Sequence, residues 1–193
     1  TLQTALNKSP TSGSADAKGS LRLDYLRGDA TYEVRTGSTR FRVRPQTKLG
    51  DIINSDPMFV GAPNSVILDP SYATFRQTSG IIDRTPMVYT AANDGMLHGF
   101  DANTGAEKLA YIPSKTFPSL NKLTNPAYTH QFYVDGSPEV NDAQVGGQWK
   151  TVLVGGLGRG GQGIYALDVT KPGTFSEGNA AQIVLWEFND TDD

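Results

Sequence analysis

Four stretches of this chain combine residue types and spacings that could do chemistry. Gly156-Leu157-Gly158-Arg159-Gly160-Gly161 matches the G-x-G-x-x-G dinucleotide fingerprint and follows an apolar run. That fingerprint works only where the glycine turn opens a helix whose N-terminus meets a pyrophosphate. The residues that follow, Ile164-Tyr165-Ala166-Leu167-Asp168-Val169, are strand formers, so no βαβ unit is available and a glycine-rich hairpin is expected, with Gly155, Gly156 and Gly158 as turn residues. Asp101-Ala102-Asn103-Thr104-Gly105 starts with the alternating oxygens of a calcium loop, but Ile112 stands where the closing Glu is required. The acidic run Asn189-Asp190-Thr191-Asp192-Asp193 does not complete a loop either. Arg27-Gly28-Asp29 is an integrin-type adhesive tripeptide whose glycine also suits a helix stop.

Other catalytic groupings are missing from the sequence. The two histidines, His98 and His130, have neither cysteine partners nor H-x-x-x-H spacing. His98 alternates along an apolar run and reads as a packing residue. His130 sits among Tyr128, Phe132 and Tyr133 and reads as a structural hydrogen-bond donor. No Ser-His-Asp or Cys-His arrangement is legible. Cysteine is absent, which excludes disulfides and thiolate metal sites but suits the cytoplasm and an exported bacterial protein equally. No catalytic activity, cofactor or metal is therefore expected in this stretch.

Composition narrows the partners. A formal net charge of −3 supplies no basic footprint for nucleic acid, and no apolar run approaches the roughly 18 residues of a membrane span. Thr1 is no initiator methionine and no signal segment follows it, so a piece of a longer chain is expected. With 21 glycines and 11 prolines among 193 residues, many short strands joined by turns are the natural reading.

The elements that must position these residues recur. Val88 to Gly105 and Val152 to Thr170 each run apolar strand, glycine turn, apolar strand, Asp and polar turn. A proline-marked strand start precedes each (Pro57, Pro138), and an aromatic strand follows each (Leu109–Ile112, Val184–Phe188). A four-strand unit that recurs reads as a propeller blade. The predicted strands are Met87–Ala92, Met96–Asp101, Val152–Gly156 and Ile164–Val169. Asn93-Asp94-Gly95 turns the first hairpin, with positive φ expected of Asp-Gly, and Asp101 with Gly105 frames the next turn. The fold class is all-β, part of a quinoprotein-like β-propeller with short helical insertions. Blade-like units lie at about 49–113 and 133–188, within a partial propeller over 21–193. At roughly 40–50 residues per blade the chain holds about three. Residues 1–20, rich in Ser, Thr, Gly and Ala, are expected to be a flexible lead-in. Leu21–Arg27 reads as a short helix and Phe41–Arg44 as a half-exposed strand. Short helices are expected around Tyr72 and Phe75, in an insertion over 61–85, and through Phe117, Leu120 and Leu123.

Several of these words, in order, resemble the propeller region of the type IV pilus-associated PilY/PilC proteins. They are Tyr25–Asp29, Phe41–Arg44, Leu49–Ser55, Asn93–Asp101, Tyr133–Pro138 and Trp149–Gly158. The resemblance implies a pilus biogenesis factor and tip-associated adhesin, exported to the periplasm, outer membrane or cell surface. Its implied partners are pilins or minor pilins and host-cell receptors. It also implies a calcium loop in the parent protein that none of these positions carries. The strand grammar is similar to that of quinoprotein dehydrogenases too, which would need a quinone and calcium. A glycan-binding propeller, using Trp149 and Tyr165 as exposed aromatics, is the other alternative.

Overall fold

The computed structural model describes residues 1–34, 36–190 and 192. Two four-stranded antiparallel sheets organise it, each in simple sequential order. The first comprises β1 (Met58–Val60), β2 (Met87–Ala92), β3 (Met96–Asp101) and β4 (Glu107–Tyr111); the second comprises β5 (Glu139–Val145), β6 (Gln148–Gly156), β7 (Gly163–Asp168) and β8 (Val184–Asn189). Two blades are present among the described residues, not the three that chain length suggested. The long insertion between β1 and β2 and the helical segment after β4 consume the residues a third would need.

Alternation along the strands explains how the sheets meet. Met87, Tyr89, Ala91 and Leu97 share one face of the first sheet, and Leu153, Tyr165 and Leu167 share one face of the second. These residues are buried in a single core between the two sheets. Burying aliphatic and aromatic side chains of this size contributes about 1.5–3 kcal/mol each. The opposite face of the second sheet carries Val154, Ile164, Trp186 and Phe188, of which Trp186 is 44% and Phe188 49% exposed. Apolar runs on β6 and β7 thus arise from two apolar faces, of which only one is covered here.

Each sheet seats a tyrosine across a glycine. Tyr89 faces Gly99 and Tyr165 faces Gly155 in directly paired positions. A methyl group on Gly155 would fall 2.3 Å from the Tyr165 ring, so glycine is required there by the close approach of the ring. Gly155 and Gly156 accordingly lie inside β6 rather than in the turn assigned to them from sequence.

Short helices frame the blades: α1 (Leu2–Leu6), α2 (Gly19–Leu26), α3 (Pro70–Gln77), α4 (Phe117–Leu120) and α5 (Ala180–Ile183). The first corrects the expectation of a flexible lead-in. Thr1 caps α1 by accepting a hydrogen bond from the Thr4 amide. Leu6 is buried with Tyr25, Leu120, Leu123 and Tyr133, while Arg22 donates to the Leu6 carbonyl and to Asp16. Phe41–Arg44 forms no strand. Phe41 is buried against Tyr25 and Tyr32, Arg42 lies over Tyr128, and Arg44 lies 3.6 Å over Tyr25 while gripping Glu33. Side-chain contacts and two isolated backbone bonds, from the Phe41 amide to the Tyr32 carbonyl and from the Arg42 amide to the Thr124 carbonyl, hold this segment in place of a ladder.

The insertion between β1 and β2 is latched onto the second sheet. Asp69 caps α3, the buried Tyr72 donates to Asp142 at 2.6 Å, and Trp149 Nε1 donates to Ser71 Oγ. The Arg84 guanidinium, also buried, donates to Thr151 Oγ1 at 2.6 Å, the Thr170 carbonyl and the Gly61 carbonyl. At the other side of the core Glu187 accepts from the Tyr111 and Ser114 hydroxyls and from the Ser114 amide. The blades are therefore tied at both ends of their shared core.

Candidate functional site

Three of the sequence words converge on one polar junction. The turn Asn93-Asp94-Gly95 joins β2 to β3, and only Gly95 takes a positive φ, +96°. Asp94 does not, so the Asn93-Asp94-Gly95 triplet forms a three-residue loop closed by a left-handed glycine, and the positive φ expected of Asp-Gly falls on the glycine alone. A side chain at Gly95 would also strike Leu120. Buried Asn93 reaches two other chain segments at once. Its amide donates to the Asp51 carbonyl, its Nδ2 donates to Asp51 Oδ2 at 3.0 Å and Asp135 Oδ1 at 3.4 Å, and its Oδ1 accepts from the Tyr133 amide. Asp135, 2% exposed, in turn accepts from the amide and Nδ2 of Asn54. The stretches 50–55 and 133–137 thus meet at the tip of the first blade's inner hairpin.

Asp94 extends this junction into a charged triad. It accepts from the Gly50 amide at 2.7 Å and the Met96 amide, and it meets His98 Nε2 at 3.1 and 3.2 Å. His98 Nδ1 lies 2.6 Å from Glu107 Oε1. Burial pulls the imidazole pKa down, but hydrogen bonding and charge from Asp94 and Glu107 prevail and hold it above its usual value. His98 is therefore a buried imidazole anchored by a carboxylate at each ring nitrogen rather than simple packing. His130, exposed, bonds Asp51 Oδ2 at 2.9 Å and meets Phe132 edge-on. Burial raises the Asp51 pKa; hydrogen bonds from His130 and Asn93 outweigh it and lower it overall.

The glycine fingerprint binds backbone, not phosphate. After β6 the chain makes one 3-10 turn, Gly158–Gly160, and enters β7, so no helix N-terminus exists to receive a pyrophosphate. Gly158, at φ +56°, lies against the Asp135–Gly136 peptide, and a side chain at Gly160 would overlap the Tyr133 carbonyl oxygen. The glycines are there because the segment 133–136 passes immediately beneath them. Asp101 and Gly105 form an ordinary turn: Asp101 Oδ1 accepts from the Asn103 amide, its carbonyl accepts from Gly105, and Gly105 has φ +74°. Among the described residues no group of three His, Asp or Glu could hold a metal ion; Thr191 and Asp193 of the acidic run lie outside them.

Arg27-Gly28-Asp29 closes α2. The Gly28 amide donates to the Tyr25 carbonyl and the Asp29 amide to the Asp24 carbonyl, with Gly28 at φ +100°. These bonds constitute a Schellman cap. Arg44 holds the Asp29 carbonyl at 3.1 Å, so the tripeptide backbone is fixed while both charged side chains face solvent. Arg27 pairs with Glu177, across a cleft of about 710 Å³ floored by β4 and by His98. Tyr165, one of the two aromatics offered for glycan stacking, is buried at 1% exposure in the blade core, and Trp149 packs on Tyr72. That platform does not exist.

Asp51, Asn54 and Asp135 were missed by reasoning from chemical motifs, because each is an ordinary polar residue in an ordinary loop. The signal that marked them was membership in the stretches that resembled a known family.

Comparison with known proteins agrees with that resemblance. A family model described as the PilY1 beta-propeller domain matches residues 49–193. The chain is 42% identical over 203 aligned residues to the type IV pilus biogenesis factor PilY1 of Pseudomonas aeruginosa (strain UCBPP-PA14), an alignment that takes in 100% of this chain and 16% of that protein. A PilY1 homolog of Xylella fastidiosa (strain Temecula1 / ATCC 700964) is 41% identical over 89% of this chain and 14% of its own length. Among solved structures, the Pseudomonas aeruginosa PilY1 C-terminal domain superposes with a TM-score of 0.53 at 42% identity, over 70% of this chain and 26% of that one. The chain spans about a sixth of the length of the curated relatives it matches. Two sequential four-stranded blades, locked where the shared sequence words meet, and a family match from residue 49 to residue 193 lead to one conclusion: the chain belongs to the PilY1 β-propeller family.

Proposed function

We propose that this chain is the propeller portion of a type IV pilus biogenesis factor and tip-associated adhesin, acting by protein–protein contact and not by catalysis. The observation that supports it most is sequence identity of 42–46% to type IV pilus biogenesis factors across nearly the whole chain. Its partners on this reading are pilins or minor pilins, with host-cell receptors engaged through Arg27-Gly28-Asp29. It works after export, in the periplasm, at the outer membrane or cell surface, and at the pilus tip. Among the described residues no helix is long and apolar enough to cross a membrane. No cofactor is assigned to these residues; a calcium loop belongs to the parent protein.

The test is a chimera. The matching segment of Pseudomonas aeruginosa PilY1 is replaced by this chain, and surface piliation and twitching are scored in a strain lacking its own copy. Restored piliation is expected. A chimera that is exported and folded but leaves the cells bald would defeat the reading.

A further inference from the structure

The exposed ion pair at the end of α2 joins two parts of the chain that are far apart in sequence. Arg27 belongs to the adhesive tripeptide, and Glu177 lies in the segment just before α5, on the second blade. The side chains are 55% and 86% exposed, so neither is needed to fill a core. The tripeptide backbone owes its shape to the Schellman bonds and to Arg44, and owes nothing to Glu177. Asp29 is exposed too: its carboxylate bonds its turn neighbour Thr31, through that residue's amide at 2.6 Å and its side chain, and faces solvent where a receptor's cation could meet it. In this arrangement Asp29 is presented and Arg27 is engaged.

We propose that Glu177 is a competitive latch on the adhesive tripeptide, an autoinhibitory contact that a receptor must displace before it can take Arg27. The inference rests on the adhesive reading of Arg27-Gly28-Asp29. The partner it fits has an acidic pocket for a guanidinium beside a divalent cation for a carboxylate. Because the latch is a solvent-exposed ion pair, it restrains binding modestly and is weakened by salt. Movement of the second blade relative to α2 changes the latch directly, so attachment is coupled to how the blades are seated.

The experiment measures binding of the chain to an immobilised ectodomain of an arginine-glycine-aspartate-binding integrin in manganese buffer, at low and moderate salt. Glu177→Gln should tighten binding by about two- to fivefold at low salt, the range an exposed pair can contribute, and the gain should shrink as salt rises. Asp29→Asn should abolish binding in either background, with thermal unfolding confirming that each variant is folded. Asp29-dependent binding that Glu177→Gln leaves unchanged would overturn the latch while sparing the adhesive reading. Absence of binding by both the parent chain and Glu177→Gln, or binding that survives Asp29→Asn, would overturn the adhesive reading and the latch with it.

Discussion

His98 offers a sharp test of how the first blade is held together. Its ring lies between Asp94 and Glu107 at 3.1 and 2.6 Å and is only 4% exposed. Asp94 also anchors the Gly50 amide, so the His98 ring supports the junction where residues 50–55 enter the blade. Replacing it by His98→Leu removes two charge-assisted hydrogen bonds, each about 1.5–3 kcal/mol in general. Glu107 is half exposed and recovers water, so its bond counts for less. Asp94 keeps two amide donors. The expected loss is therefore about 2–3 kcal/mol, which for a chain of this size is roughly 4–12 °C of melting temperature. The sign with pH follows from linkage. The folded pKa of His98 is raised above 6.5, so its contribution is complete below the unfolded value and is lost as pH rises through the folded one. Lys48, Lys108 and Arg27 line the same cleft. Urea unfolding of the parent and His98→Leu chains across pH should show a gap that is largest at mildly acidic pH and narrows towards alkaline pH. A gap that is constant with pH, or that widens as pH rises, would refute the charged triad.

Four further outcomes are expected. Gly160→Ala should disrupt folding by well over the 1–3 kcal/mol of ordinary overpacking, because its methyl would overlap the rigid Tyr133 carbonyl; circular dichroism and melting would show it. Arg84→Met should lower the melting temperature, since Thr151 and two carbonyls lose a buried donor and the insertion loses its latch; an unchanged melt counts against that role. Tyr165→Phe should be neutral or slightly stabilising, because the buried hydroxyl has no hydrogen-bond partner in the structure. The isolated chain should self-associate through the apolar face of the second sheet, and Trp186→Ser with Phe188→Ser should reduce light scattering; scattering equal to that of the parent chain would move the sticky surface elsewhere.

Much of the architecture was legible from the sequence because strand periodicity and turn chemistry are local. Val88 and Tyr89, or Leu153 and Val154, alternate faces whatever surrounds them, and Gly95, Gly28 and Gly105 stand where a left-handed backbone is required. The absence of cysteine and of legible catalytic pairs was equally plain. Tertiary structure decided what distance along the chain conceals. It brought Asp51, Asn93 and Asp135 to one point, buried Tyr165 against Gly155, and set Glu177 upon Arg27. It also turned the polar lead-in into a helix, because two leucines one turn apart suffice when another layer waits to cover them. Pattern along the chain sets which face a side chain takes; only the packing of one blade on another sets what that face meets.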